Sequence, residues 1–366
     1  MMVVHGGAST DYRTDGSLAT LRLARGSATF SVERDLGFDL LMWRHLGRVR
    51  AALLDFNPDI IHVTSPGDIG LLGLYLSHTM RIPLVASWHT NLHEFAATRL
   101  ENALHSLPAS IRRPLVRATE RQTLRLVDLF YSIPRVLLAP NVELVKRLRR
   151  QTGKPVCLMS RGVEADVFTS EKRTTTDGIF RVGYVGRLTP EKNVRLLVEA
   201  ERAFTEAGID RFTFSIVGDG SELSWLKRNL RHAEFHGILR GEALAEAYAN
   251  MDLFAFPSHT DTFGNVVLEA MASGVPAVVT SSGGPRFLVK QGMTGWIAAD
   301  NPDFVAKTVM LAQRPALRQE MRTAARRQAC TLSWDRVFED LYDAYALVGN
   351  CAADSRSIDC ALPESR

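Results

Sequence analysis

Two carboxylates, Asp261 and Glu269, stand eight positions apart around Gly264 in the stretch 258–274, SHTDTFGNVVLEAMASG. From Gly264 onward, Val266, Val267, Ala270 and Met271 have the spacing of a helix packed on a sheet, with Gly274 as its C-cap. At the start of such a helix the backbone N–H groups of Phe263, Gly264, Asn265 and Val266 lack helical acceptors, and an anion would satisfy them. Glu269 falls one turn beyond Asn265, on the polar edge of an otherwise apolar helix. A carboxylate is costly there unless something donates to it, and the hydroxyls of a ribose would do so. Asp261 has two readings that the spacing leaves open: a cap for the helix, or a ligand for sugar hydroxyls.

In GYVGRLTPEKNV (183–194) a strand ends at Gly186, and Arg187 and Lys192 follow before a helix begins. A guanidinium grips phosphate through two N–H groups and a lysine adds a point charge, so the pair suits a diphosphate leaving group. The plainer alternative makes both of them solvated cations. In FSIVGDGSEL (214–223), Gly218 and Gly220 close a strand, but Leu223 occupies the third glycine position of G-x-G-x-x-G. That favours a tight strand–helix turn over a dinucleotide loop. EFHGIL (234–239) reads as a further short strand, whose end at Phe235 to Gly237 could face a base. VASWHTNLHEF (85–95) places His89, Asn91, His93 and Glu94 after another strand. A strand-end histidine is commonly structural, yet such a loop is also where a catalytic one would stand. His89 and His93 have no third ligand or H-E-x-x-H context, and no D-x-D triplet occurs, so no metal is expected.

These residues need strands to place them. Candidate strands are PDIIHVT (58–64), PLVASWH (83–89), LFYSI (129–133), FRVGYVG (180–186), FTFSIVG (212–218), LFAFPS (253–258) and PAVVTS (276–281). Amphipathic stretches such as 193–207, 221–231 and 241–250 separate them. Continuous apolar strands alternating with helices indicate α/β architecture, with parallel sheets covered on both faces. Ligands then bind in loops at the carboxyl ends of the strands. The polar stretch FTSEKRTTTDGI (168–179) lacks periodicity and reads as a linker between two α/β halves, and no internal repeat is seen. With 366 residues there is length for two domains. The division expected is 1–165, a linker over 166–179, 180–347, and a disordered tail over 348–366.

Hydrophobic residues make up 46% and charged residues 23%, as in a soluble globular protein, and no apolar run reaches the ~18 residues of a transmembrane helix. No signal-peptide pattern opens the chain. Cys157, Cys330, Cys351 and Cys360 have no metal-ligand spacing, which suggests a reducing, cytoplasmic setting without a disulfide framework. The net charge is only +4, but residues 111–150 carry ten Lys and Arg against three acids. Within them Arg113, Arg117, Arg121 and Arg125 recur every four residues and form one stripe on a helix. The stripe is either a solvated face or a docking surface for anionic lipid headgroups. Aromatic interleaving is absent, which argues against nucleic acid as a partner.

Taken in order, SWHTN, SRGVEADVF, VGRLTPEKN, VGDGSE and TDTFGNVVLEAMASGVPAVVT resemble family 4 of the retaining glycosyltransferases, across roughly residues 50 to 347. The last of these is the most specific and corresponds to the family's E-x7-E signature. The HTN, RGV and TFGNVVLEA wording is most similar to GDP-mannose-dependent α-mannosyltransferases acting on glycolipid acceptors. The resemblance implies the GT-B fold, two Rossmann-like domains with parallel sheets facing across a cleft. It also implies a donor such as GDP-mannose or another nucleotide diphosphate sugar, a lipid or glycan acceptor, no cofactor, and a peripheral place on the inner face of the membrane. Arg187 and Lys192 would hold the diphosphate as it leaves, with Gly186 and Gly218 in the strand-end loops beside it. Glu269 would bind the ribose, and Phe263, Gly264, Asn265 and Val266 would offer backbone N–H groups. Asp261 would contact the transferred sugar, His89 would lie near its anomeric centre, and Phe235 and Gly237 would line the base. The family retains anomeric configuration, so no nucleophile need be sought.

Two departures qualify the resemblance. The first carboxylate of the signature is Asp261 rather than Glu, one methylene shorter, which bears on donor identity or rate. The family also opens with a strand and a glycine-rich loop, whereas MMVVHGGASTDYRTDG looks like the second strand. The expectation is therefore a chain without that loop, and weak or inactive. The alternatives to a mannosyltransferase are a non-catalytic nucleotide-sugar-binding partner and an enzyme using a UDP-sugar. A nicotinamide oxidoreductase would need an intact G-x-G-x-x-G, which the chain does not supply.

Overall fold

The computed structural model describes residues 1–27, 29–31, 37–92, 96, 99–101, 104 and 107–350. Contacts divide the chain into two compact units, Met1–Leu158 joined by the chain from Leu341 onward, and Met159–Asp340.

The first unit opens with β1 (Met2–Gly7), β2 (Asp11–Asp15) and β3 (Leu18–Ala24) in the order β1-β3-β2. β1 runs parallel to β3 and β2 antiparallel to it. β4 (Thr29–Ser31) pairs antiparallel with β5 (Gly37–Asp39). There follow α1 (Leu46–Phe56), β6 (Ile61–Val63), α2 (Asp68–Met80), β7 (Leu84–Ser87), α3 (Ala109–Tyr131), β8 (Val136–Ala139), α4 (Val142–Thr152) and β9 (Val156–Leu158). β6 to β9 make a parallel sheet in chain order. Every residue of β7 and β8 is buried, as expected for parallel strands covered on both faces.

The run LFYSI, expected as a strand, instead ends α3 at Tyr131, with Ser132 as the C-cap. Val127, Phe130 and Tyr131 are its buried positions, and their i, i+3, i+4 spacing is helical, so packing overrides the local aromatic, strand-like composition.

The second unit contains β10 (Phe180–Val185), α5 (Leu196–Glu206), β11 (Phe212–Val217), α6 (Leu223–Asn229), β12 (Ala233–Gly237), α7 (Gly241–Ala249) and β13 (Leu253–Phe256). α8 (Asn265–Ala272), β14 (Ala277–Thr280), β15 (Gly295–Ala298), α9 (Asn301–Gln313) and α10 (Pro315–Ala329) complete it. Its parallel sheet runs β12-β11-β10-β13-β14-β15. Strand order therefore reverses between β10 and β13, the place where doubly wound sheets open a crevice for ligands.

Residues 166–179, expected as a linker, are tied to this unit. Arg173 donates to the Met251 carbonyl (3.0 Å) and to Asp252 Oδ1 (2.8 Å), and the Thr174 N–H donates to Asn250 Oδ1 (2.9 Å). Part of their polarity serves the end of α7 and the loop after it, while Glu171, Thr176 and Asp177 remain exposed.

α11 (Trp334–Asn350) begins in the second unit and ends in the first. Residues 348–350 of the expected tail thus close a helix. Residues 351–366, like His93 and Glu94, lie outside the described residues. Among the described residues, Cys330 is free.

Candidate functional site

Lys192 lies at the end of a 3-10 turn, Pro190–Lys192, beyond the carboxyl end of β10. Asp261 lies in the loop beyond β13, the strand next to β10. The two meet as an ion pair, Nζ to Oδ2 at 2.5 Å, with Lys192 only 9% exposed. The Lys192 ammonium also sits 5.9 Å from the centre of the Phe256 ring. Burial of this kind is tolerated because the charge has a partner. The first residue of α8 follows Gly264, which caps the helix without any side-chain hydrogen bond. Asp261 is thus not the cap, and its carboxylate is engaged by Lys192 instead.

Arg187 is exposed, and its backbone is anchored by the buried Tyr184, whose hydroxyl donates to the Arg187 carbonyl at 2.8 Å. Tyr184 stacks on Phe256 and its hydroxyl pKa is raised, chiefly by burial, so it remains a donor. Gly186 and Gly218 hold two strand-end loops in backbone contact. A Cβ on Gly218, which has φ +139°, would lie 1.9 Å from the Gly186 carbonyl oxygen. Only glycine permits that approach. The Gly218 N–H in turn donates to the Gly237 carbonyl at 2.7 Å, bringing the end of β12 alongside. Phe235 packs against the core and carries Lys227 Nζ at 5.8 Å from its ring centre.

At the start of α8, Phe263 is buried, Asn265 is exposed and Val266 is half-buried. Glu269, one turn further, accepts a hydrogen bond from the Tyr248 hydroxyl at 2.8 Å. Burial raises the Glu269 pKa, while the Tyr248 bond opposes that rise. Tyr248 itself is fully buried and its hydroxyl keeps its proton. The sequence carried no signal for Tyr248, which stands 21 positions before its partner.

A second contributor was also missed. The loop after β14, SSGGP (281–285), folds onto the Asp261 loop, and the Gly284 N–H donates to the Asp261 carbonyl at 2.6 Å. A Cβ on Gly284 would meet the Thr262 carbonyl oxygen at 2.0 Å. Its signal was a double glycine straight after a buried strand. Gly186, Arg187, Lys192, Gly218, Asp261 and Gly264 thus lie in loops beyond the carboxyl ends of β10, β11 and β13, and Glu269 lies in the helix that follows.

His89 belongs to the first unit, two residues beyond β7, and its Nε2 lies 2.7 Å from Ser87 Oγ. Trp88 between them is fully buried against Tyr131, ring centres 4.8 Å apart, which fixes the strand end. In α3, Arg113, Arg117, Arg121 and Arg125 are all exposed, and the first three line a groove with Pro114 and Ala118. Ile111, Leu115, Leu126 and Leu129 are exposed on the same helix. Among the described residues, no helix is long and apolar enough to cross a membrane. Among the same residues, no three His, Cys, Asp or Glu side chains are grouped to hold a metal ion.

Two family descriptions match this chain: Glycosyltransferase Family 4 over residues 15–167 and Glycosyl transferases group 1 over residues 179–314. A GDP-mannose-dependent alpha-mannosyltransferase of Mycobacterium tuberculosis is 34% identical over 314 residues, covering 82% of this chain and 76% of the relative. The protein of the same description from Mycolicibacterium smegmatis is 32% identical, with the same coverage. Among solved structures, sucrose-phosphate synthase from Thermosynechococcus elongatus aligns with TM-score 0.72 and 18% identity over 96% of this chain and 89% of that one. Anabaena HepE in complex with UDP and glucose aligns with TM-score 0.62 and 18% identity over 82% and 80%. Each half of the chain carries its own match and the long relatives span both, so this chain belongs to glycosyltransferase family 4, a hexosyltransferase with the GT-B fold.

Proposed function

We propose that this chain transfers mannose from GDP-mannose to a lipid-linked or membrane-proximal acceptor, with retention at the anomeric carbon. The observation that carries the reading is the Lys192–Asp261 pair at the point where strand order reverses, beside the helix that bears Glu269. The relatives described as GDP-mannose-dependent alpha-mannosyltransferases supply the donor. Arg187 and Lys192 neutralise the diphosphate in place of a metal ion or cofactor, a preorganised electrostatic task. Backbone N–H groups from Phe263 to Val266 add to it at the start of α8. Glu269 accepts from the ribose hydroxyls, Phe235 to Gly237 border the base, and Asp261 and His89 attend the transferred sugar.

In the transfer, the bond from the anomeric carbon to the leaving phosphate oxygen breaks and the acceptor oxygen bonds on the same face. The acceptor's hydroxyl proton passes to the departing phosphate, so no protein nucleophile is required. The acceptor reaches the enzyme at an anionic membrane surface, where the arginine stripe and exposed leucines of α3 dock. Calorimetry with GDP-mannose and UDP-glucose, followed by NMR of the product formed with a glycolipid extract, tests this reading. Tight GDP-mannose binding and an α-linked mannoside are expected. Preference for UDP-glucose, or an inverted product, would overturn it.

A further inference from the structure

Four polar side chains of the first unit form a row. His62, on β6, lies with Nδ1 2.7 Å from the Tyr345 hydroxyl and Nε2 2.8 Å from Ser87 Oγ. Ser87 Oγ lies 2.7 Å from His89 Nε2. The row is a product of sheet register. His62 is opposite Val85 in the parallel pair β6–β7, and Val85, Ser87 and His89 alternate onto one face. Tyr345 reaches the far end from α11 and stands edge-on to the His62 ring, 5.7 Å between centres. Ser87 is 1% exposed, and the Tyr131 hydroxyl donates to its carbonyl at 3.1 Å, which anchors its backbone.

The polarity of the row follows from simple accounting. Burial lowers the His62 pKa to about 4, so the ring is neutral and has one donor and one acceptor nitrogen. Its two contacts must therefore run in opposite senses. Burial raises the Tyr345 pKa, and a phenol O–H is a better donor than acceptor toward an imidazole. With Tyr345 donating to Nδ1, His62 bears its proton on Nε2 and donates to Ser87 Oγ. The Ser87 hydroxyl then donates onward to His89 Nε2.

We propose that Tyr345, His62 and Ser87 are positioning residues that fix the ring of His89 and set its neutral form with the proton on Nδ1. This matters to transfer on the reading that His89 attends the sugar, since it makes His89 a hydrogen-bond donor from Nδ1 rather than from Nε2.

The test is nitrogen NMR of the full chain labelled in histidine, with His89 assigned by loss of its signals in His89→Gln. Expected in the unmodified protein is an acceptor-type Nε2 and a protonated Nδ1. Ser87→Ala and Tyr345→Phe should each convert His89 to a mixture of the two forms, and Ser87→Thr, which keeps the hydroxyl, should restore the single form. A His89 that is protonated on Nε2, or that is unchanged in Ser87→Ala and Tyr345→Phe, would overturn the proposal. The readout needs no turnover. It therefore separates failure of the row from failure of the transfer reading, which the turnover of His89→Gln reports.

Discussion

Lys192 Nζ lies 2.5 Å from Asp261 Oδ2, an ion pair that ties the loop after β10 to the loop after β13. A diphosphate arriving at Lys192 must share that ammonium with a carboxylate already in place. Asp261→Ala should therefore leave an uncompensated, nearly buried charge and destabilise the protein by about 1–3 kcal/mol. GDP would take the carboxylate's place, so it should raise the melting temperature of Asp261→Ala more than that of the unmodified protein. Lys192→Ala should show the reverse, a smaller rise, with transfer slowed roughly a hundredfold or more. Thermal melts with and without GDP read the difference, and equal rises in all three proteins would place the diphosphate elsewhere.

The Tyr248–Glu269 bond makes stability depend on pH in a defined direction. Burial holds the folded pKa of Glu269 above its ordinary range, so stability linked to this group is full in acid. It is lost as pH rises through the folded value. The Tyr248 hydroxyl limits that loss by donating to the ionised carboxylate. Tyr248→Phe should thus raise the folded pKa further. Its stability deficit should be small in acid and open with rising pH to about 1.5–3 kcal/mol, the worth of a hydrogen bond to a charged group. Urea midpoints across a pH series would show it, and a deficit independent of pH would mean that the hydroxyl does not serve the ionised form.

The second unit was legible because its strands are apolar runs, six residues long in β10 and β11, separated by helices of clear period. β10, β11, β13 and β14 all fall within the runs picked out by composition. The first unit was harder. β9 has only three residues, and the aromatic end of α3, just before β8, mimicked the strand that β8 supplies. Arg187, Lys192, Asp261 and Glu269 stood out in the sequence by charge near strand ends or on an apolar helix. Tyr248, Ser87 and His62 did not, since each acts through a partner that only sheet register or helix packing brings near. The Gly284 contact was hidden for a different reason, being made by backbone alone.

That contact yields its own expectation. A methyl group on Gly284 would overlap the Thr262 carbonyl, so Gly284→Ala must push the Asp261 loop away from β14. The cost should be about 1–3 kcal/mol, as for other overpacked sites, and GDP affinity should fall with it. Gly47→Ala is a suitable control, since its Cβ in α1 would meet nothing within 4 Å. That change should stabilise slightly, by about 0.4–1 kcal/mol, and leave GDP binding alone. Urea unfolding and calorimetry on the two variants decide whether the loop after β14 supports the site.

The arginine stripe of α3 lies beside exposed Ile111, Leu115, Leu126 and Leu129, so the helix presents charge and apolar surface together. A solvated face has no need of the second component, whereas an interfacial helix uses both: arginines for anionic headgroups and apolar side chains for the acyl boundary. The two contributions respond differently to salt. Each arginine is worth ~1 kcal/mol at an anionic surface and is screened beyond about 8–10 Å at physiological ionic strength, while apolar insertion is not. Changing Arg113, Arg117, Arg121 and Arg125 to Gln should weaken sedimentation with phosphatidylserine vesicles by about a thousandfold, the sum of four such terms. Ile111→Ser with Leu115→Ser should weaken it less, but should remove the portion that survives high salt. Binding that is indifferent to anionic lipid, or unchanged in the four-Gln variant, would return the stripe to a solvated face and leave the acceptor to be found in solution.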